Sequence, residues 1–436
     1  MRRKARRGGG RQVELTIDAI GGRGDGVARL GGEAGGRLVY VPGTVPGDRL
    51  RARLTGERGG GYRGEIIELI EDGPGRHTPP CRHYGSCGGC TLQHLEPARY
   101  TAWTRDQVVQ ALARRGLSAV AVAPLVEVGA GTRRRATVTA ACGPDGKVVV
   151  GYRERGSHAV VDVVACLLLT PALAELLPRL RAHLDDAVPE IRPLRITATE
   201  TDDGLDLLFE AQVPPDLAAR EGLARLAADA DWARVTWQAR DAPPEPVIVC
   251  RAPRVVFGGV PVALPPGGFL QPSREGEAAL IDAVTGFLPD DAGTVADLYA
   301  GCGTFALSLA VRGHRVHAVE GDAAAHDALA QAVRAATMTD RVTSEQRDLE
   351  RRPLQAAELA GYEAVVFDPP RAGARAQAAD LAASSVPAVI AVSCNPHSFA
   401  RDARILVDGG YRLDAVTPID QFPWSAHVEL VASFRR

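Results

Sequence analysis

The chain has almost no lysine. Lys4 and Lys147 are the only two among 51 basic residues, and arginine supplies the rest. So one-sided a choice reflects compositional bias, and it removes much of the meaning a run of arginines would otherwise carry. Excess charge is missing as well. The formal net charge is −2, so bulk electrostatics does not point to a nucleic-acid partner. Nor is there a long apolar run. The best candidate, from Ala159 to Leu177, is interrupted by Asp162, Pro171 and Glu175, which excludes a helix crossing hydrocarbon there. The first residues, MRRKARRGGGRQ, are basic but no apolar segment follows them, so no secretory signal is read. A cytoplasmic protein without membrane contact is expected. No internal repeat is visible.

What is present is enough chain for two to four domains: 436 residues, 45% of them apolar. Residues 1–12 form a basic tail, suited to tracking a phosphate backbone or simply to solvation. Over 13–73 the sequence is Gly-rich, and short alternating runs such as RLVYVPG and GEIIELIE between turns predict a small β-barrel. Over 74–260 short strands (KVVVGY, LRITATE, LDLLFEA) mix with helical stretches and Pro-rich joints, an α+β central domain; its helix at about 97–116 is expected to pack on the last domain. Over 261–436 apolar strands alternate with Ala-rich helical segments. That alternation predicts an α/β, Rossmann-like domain with a parallel sheet covered on both faces. Ligands of such sheets sit beyond the carboxyl ends of the strands, where each motif below falls.

VADLYAGCGTFAL, from Val295, reads as strand, glycine turn and helix start. Gly301 and Gly303 let backbone approach a ligand without an intervening Cβ. Glu320 ends the next strand and suits a ribose diol. The glycines with Ala306 also fit a dinucleotide fingerprint. Electrostatics separates the two readings: a pyrophosphate is opposed by Asp297 and by Asp368 on the same rim, whereas the sulfonium and ammonium of S-adenosylmethionine are attracted. The methyl donor is the better match.

In VIAVSCNPHSFARD, from Val389, an apolar strand stops at Ser-Cys-Asn-Pro and a helix begins. Asn395 is a natural N-cap and Pro396 fits the first turn, where its missing N–H is no loss. Cys394 then precedes a helix N-terminus, whose positive end favours the nucleophilic thiolate. A small buried apolar residue is the plainer role for such a cysteine. Its neighbours argue otherwise. FDPPRAG places Asp368 at the preceding strand end with Arg371 beside it, and DQFPWSAHVELVASF is expected to put His427 and Glu429 on one strand face. The C5 carbon of uracil is too weak a nucleophile to take a methyl unaided. Thiolate addition at C6 activates it, and a base then removes the C5 proton. Cys394 is the candidate nucleophile and Glu429 the candidate base.

DLYAGCGTF, FDPPRAG, SCNP and FPWSAHVE, in this order, resemble the motifs of the RNA uracil-5-methyltransferases that use S-adenosylmethionine. The resemblance covers nearly the whole chain. It implies that Gln271 of GGFLQPS, Tyr299, Glu320, Asp348 and Asp368 contact the cofactor beside the Gly301 turn, and that Cys394 and Glu429 act as above. The stretch GRGDGVARLGG followed by RLVYVPGTVPGD is similar to the family's TRAM domain, an RNA-binding β-barrel. Two positions depart from the family pattern: Ser273 where Asn is usual, and Ser425 where Thr is usual.

CRHYGSCGGC supplies Cys81, Cys87 and Cys90, and closely spaced thiols in an intracellular protein indicate metal more than disulfide. Cys166 is the leading fourth ligand. Cys142 and Cys250 lack companions, and Cys302 lies in the glycine turn. Spacing alone leaves zinc and iron-sulfur open. In the ribosomal-RNA branch of the resembled family this pattern holds a [4Fe-4S] cluster, and with the TRAM-like region it implies large-subunit ribosomal RNA as substrate. Arg133, Arg134 and Arg135 are candidate phosphate contacts, and the target uridine must be unpaired or easily opened. No obligatory protein partner is evident. Two rival readings are a methyltransferase acting on an amino group of a base or protein, which needs no thiol, and a metal-containing RNA-binding protein without catalysis.

Overall fold

A computed structural model describes residues 11–31, 36–143, 145–188, 193–289 and 292–436. Residues 1–10 of the basic tail at 1–12 lie outside the described residues. Two compact units emerge: the described residues up to Thr104 together with Trp424–Ala426, and a larger unit of Arg105–Pro423 with His427–Arg436. No helix among the described residues is long and apolar enough to cross a membrane.

The smaller unit is built on six strands in the order Gln12–Thr16, Arg49–Arg58, Gly61–Glu71, Leu38–Val41, Gly26–Arg29 and Ala19–Ile20. Side chains alternate across each strand, so Val39 and Val41 point inward to meet Leu15, Ile17, Ala28, Leu50 and Ala52. Residues after Glu71 stay with this unit because Leu92, Leu95 and Tyr100 form a satellite core on Val45. Buried Asp48 ties the segment down, accepting hydrogen bonds from the N–H groups of Val45 (2.7 Å) and Gly73 (2.8 Å) and pairing with Arg76. Trp424 belongs here too: its carbonyl accepts the N–H groups of Thr91 and Leu92, and its own N–H donates to Tyr100 Oη at 2.9 Å.

In the larger unit a seven-stranded sheet runs Val160–Asp162, Val148–Arg153, Arg135–Cys142, Leu194–Thr201, Gly204–Ala211, Arg234–Ala239 and Glu245–Val249. Every pairing is antiparallel except that of Gly204–Ala211 with Arg234–Ala239. Helix Pro171–Ala187 buries Leu173, Leu176, Leu177, Leu180 and Leu184, the i, i+3, i+4, i+7 stripe of an amphipathic helix.

The second sheet carries the motifs. Val342–Gln346, Arg315–Glu320, Thr294–Leu298, Ala364–Phe367 and Ala388–Ser393 lie side by side and parallel. Glu429–Arg435 then runs antiparallel between Ala388–Ser393 and Arg412–Asp420. Short strands Ala121–Val122 and Val126–Glu127 add to Arg412–Asp420. Strands Ala364–Phe367 and Ala388–Ser393 are buried at every residue, which is why they read as unbroken apolar runs. Helices cover both faces. One core gathers Leu280, Leu307 and Leu329, and the other Leu381, Phe399 and Leu406 with Val108 and Leu112 from the end of helix Pro97–Ala113.

Helix Arg274–Phe287 is fixed to the seven-stranded sheet by an ion pair. Arg134 is 2% exposed, and its guanidinium donates to Glu277 Oε2 at 2.6 Å and to the Gln271 carbonyl at 3.1 Å. Burial pushes the arginine's pKa down and the glutamate's up, and each partner opposes the other's shift. Arg134 is therefore unavailable to phosphate, and Arg135 is half-buried with its guanidinium on the Gly267 carbonyl. Ser273 caps the same helix, its Oγ accepting the Gly276 N–H at 3.0 Å, a role that Asn fills equally well. Removing one partner of a buried pair costs about 3–5 kcal/mol. Glu277→Leu should lower the thermal midpoint accordingly, and the double replacement Glu277→Leu with Arg134→Met should recover much of the loss in the same melting measurement.

Candidate active site

The glycine turn follows strand Thr294–Leu298. Tyr299, Gly301 and Gly303 all have positive φ (62°, 56° and 97°), and Gly303 starts helix Thr304–Val311. A Cβ on Gly303 would lie 2.5 Å from Leu329 Cδ1, so glycine permits the close helix packing. One on Gly301 would meet nothing within 4 Å. That open backbone is where a ligand can approach. Glu320 closes the turn's far side: one carboxylate oxygen accepts the Gly301 N–H and the other the Asp322 N–H, both at 2.7 Å. The next strand end folds against it, with the Arg347 N–H on the Glu320 carbonyl at 2.8 Å and Asp348 exposed alongside. Behind the turn lies Asp297, fully buried. Neither of its oxygens has a well-formed hydrogen bond, and burial raises its pKa far above the carboxylate range, against the pull of the Ala306 N–H. Open glycine backbone, an oriented Glu320 and further carboxylates fit a cationic adenosyl donor.

Cys394 follows strand Ala388–Ser393 as the sequence predicts. Asn395 caps helix Pro396–Asp408, its side-chain oxygen accepting the His397 N–H at 3.1 Å. The cap also works outward. Asn395 Nδ2 and Ser398 Oγ both donate to the Arg371 carbonyl (3.0 and 3.1 Å), and Asp402 accepts the Ala374 N–H at 2.8 Å. The loop bearing Asp368 and Arg371 is thus stitched to the cysteine's helix.

The thiol itself corrects the sequence expectation. Its pKa is pushed up to about 11, first by burial and then by Glu429 and Asp368, with Arg371 opposing. Burial and two carboxylates outweigh one helix end. Asp368 in turn is raised to about 7 by burial, against a hydrogen bond from Gln271 Nε2 at 3.4 Å. Glu429, 6% exposed, is raised well above the usual carboxyl range by burial and by Asp368. Gln271, Asp368, Cys394 and Glu429 therefore form one electrostatic unit. Tyr299, in the turn after strand Thr294–Leu298, is half-buried, its pKa raised by burial and by Glu350, Asp402 and Asp348.

His427 does not share a strand face with Glu429. The strand begins at Glu429 itself, and His427 lies in the preceding loop, its ring edge-on to Phe422 with centroids 5.9 Å apart. Burial lowers its pKa, helped by Arg371 and Arg133. Arg133 lies over the Phe422 ring at 5.8 Å and remains partly exposed, unlike buried Arg134. Ser425 falls in the Trp424–Ala426 segment of the smaller unit. Gln421 was not singled out from the sequence, yet it hydrogen-bonds Gln271; only its place in DQFPW hinted at it.

Cys81, Cys87 and Cys90 lie half-exposed on turn-rich backbone of the smaller unit, where the Gly89 N–H points at Cys87 Sγ, 3.5 Å away. Cys166 lies half-exposed in the larger unit. Among the described residues no three Cys, His, Asp or Glu side chains gather closely enough to hold a metal ion. The chemistry of the thiol set suits a thiophilic centre.

Comparison with known proteins converges on the same chemistry. The model of the tRNA (Uracil-5-)-methyltransferase family matches residues 263–435. An uncharacterized RNA methyltransferase of Brucella suis is 44% identical over 419 residues, covering 96% of this chain and 97% of that one. The 23S rRNA (uracil(1939)-C(5))-methyltransferase RlmD of Chromohalobacter salexigens is 34% identical, with 95% and 87% covered. In structure, the tRNA (uracil-54, C5)-methyltransferase of Pyrococcus abyssi, solved with S-adenosyl-L-homocysteine, superposes with a TM-score of 0.73 at 22% identity, covering 97% of this chain and 100% of that one. With a mixed α/β methyltransferase fold and relatives of this kind along nearly its full length, the chain belongs to the S-adenosylmethionine-dependent RNA (uracil-C5) methyltransferase family.

Proposed function

We propose that this enzyme methylates C5 of a uridine in large-subunit ribosomal RNA through a covalent bond between Cys394 and C6, with Glu429 as base. The observation that carries the reading is the meeting of one thiol with two carboxylates at adjacent strand ends, close enough that each carboxylate raises the thiol's pKa. An amino-group methyltransferase has no use for such a thiol. The Chromohalobacter relative's name favours ribosomal RNA. The fold by itself is neutral, since a protein named for transfer RNA shares it.

The proton inventory shapes the mechanism. Burial raises the Cys394 pKa to about 11 and that of Glu429 well above the usual carboxyl range, so both groups hold their protons more tightly than in water. A cation entering beside Asp368 favours the ionised forms of all three groups. Bound S-adenosylmethionine supplies that cation and an electrophilic methyl group. The Cys394 thiolate adds to C6, and the displaced electron pair makes an enolate whose C5 takes the methyl as the sulfonium S–CH3 bond breaks, leaving S-adenosylhomocysteine. Glu429 then removes the C5 proton; C5=C6 re-forms, the C6–S bond breaks, and Cys394 leaves as thiolate. Gln271, Tyr299, Glu320, Asp348 and Asp368 are proposed to hold the donor over the Gly301 turn. Arg133 and Arg371, flanking His427, are candidates for the RNA backbone or a base edge.

Residues 13–73 are proposed as a TRAM-like RNA-binding module. Cys81, Cys87, Cys90 and Cys166 are proposed as ligands of a [4Fe-4S] cluster that shapes an RNA-contacting surface, with zinc the alternative metal. Iron and acid-labile sulfide in the anaerobically purified chain should each approach about four per molecule and fall in Cys87→Ala. Zinc in their place would identify the other metal.

Two further outcomes follow from the proton inventory. Alkylation of Cys394 by iodoacetamide, followed by peptide mapping, should speed up about tenfold per pH unit below its pKa. Glu429→Gln removes a group that repels the thiolate once it is ionised, and should make that alkylation faster on the alkaline side of the profile. The same variant should slow turnover by about 10²–10⁴-fold and leave RNA covalently attached on denaturing gels. Because Asp368 must be ionised to attract a sulfonium, kcat/KM should rise with pH through a midpoint near 7. A profile flat from about pH 5.5 to 8.5 would contradict that role.

A further inference from the structure

Gln421 is 3% exposed, and no step of the reaction uses it. Its Nε2 donates to Oε1 of Gln271 at 3.2 Å, and Gln271 Nε2 donates in turn to Oδ2 of Asp368 at 3.4 Å. The polarity of this chain is set from its inner end. An ionised carboxylate only accepts, so Gln271 must present its N–H₂ there, and its oxygen then needs a donor on the other side. Gln421 is that donor. Were the Gln271 amide to turn over, its oxygen would face the Asp368 carboxylate and its N–H₂ would face the N–H₂ of Gln421, so both contacts would become repulsive.

The rest of the neighbourhood fixes this arrangement. The Gln271 carbonyl is held by Arg134 Nε at 3.1 Å, so its backbone is pinned independently of the side chain. Room for the Gln421 amide comes from Gly276, in the first turn of helix Arg274–Phe287: a Cβ there would lie 2.4 Å from Gln421 Oε1 and 2.6 Å from its amide carbon. That Oε1 is buried without a hydrogen-bond partner. An orphaned buried amide oxygen is destabilising, and what offsets it here is the single bond made by the other half of the amide. Asp368 needs the help. It faces Glu429, Cys394 and Asp297, two of them further carboxyl groups, and the Gln271 N–H is the group that opposes its neutralisation.

We propose that Gln421 is a positioning residue: it locks the Gln271 amide with its N–H toward Asp368, and so preserves the negative charge that receives the sulfonium of the methyl donor. The inference rests on the reading of Asp368 as a cofactor contact, and the test separates the two. S-adenosylmethionine and S-adenosylhomocysteine differ by the methyl group and its positive charge. Calorimetric affinities for both ligands are to be measured at one neutral pH on the full chain and on Gln421→Met, Gly276→Ala and Asp368→Asn. Gly276→Ala, a favourable change for a helix, displaces the Gln421 amide by steric contact without altering its chemistry. The ratio of the two affinities should shift toward S-adenosylhomocysteine by about five- to tenfold in both Gln421→Met and Gly276→Ala, the worth of one good hydrogen bond. It should shift at least as far in Asp368→Asn. A fall in both affinities with an unchanged ratio in Gln421→Met and Gly276→Ala, while Asp368→Asn shifts it, would overturn the role of Gln421 and leave Asp368 in place. An unchanged ratio in Asp368→Asn would remove Asp368 as the receiver of the charge, and the inference with it.

Discussion

Two carboxyl groups and a thiol share one poorly solvated rim, and such a site cannot hold three negative charges at once. This constraint governs the chemistry. Asp368 raises the proton affinity of both Cys394 and Glu429, and Glu429 that of Cys394, on top of the burial that raises all three. A cation placed beside them would favour the ionised forms of all three.

The fold makes the crowding possible by bringing strand ends together and fixing the loops that leave them. Asn395 and Ser398 bind the Arg371 carbonyl, and Asp402 binds the Ala374 N–H, so the Asp368 loop and the cysteine's helix move as one piece. On the donor side Glu320 holds the Gly301 N–H. Even the seven-stranded sheet takes part, since Arg134, just before its strand Arg135–Cys142, grips both the Gln271 carbonyl and the helix that follows. Its burial, which removes it as a phosphate ligand, is what makes it useful as an anchor.

The relatives divide the question of substrate from that of reaction. Proteins named for ribosomal and for transfer RNA share this architecture along nearly the whole chain. The common element is uracil-C5 methylation, which follows from the sheet and its rim.

By itself the sequence determined whatever local periodicity and capping chemistry decide. Unbroken apolar runs announced the parallel strands, Asn-Pro announced the helix after Cys394, and paired glycines announced the turn beside Glu320. Each signal lies within a few residues of its effect. Tertiary structure decided the rest. His427 left the strand because pairing begins at Glu429, Arg134 went inward because Glu277 meets it there, and the Cys394 pKa rises because burial, with Glu429 and Asp368, outweighs a helix end. Arg134 and Gln271 are 137 positions apart, and Gln271 and Gln421 are 150 apart. Partners so distant are chosen by how the sheets are laid down, and burial, which sets the strength of every one of these contacts, exists only once the chain has folded.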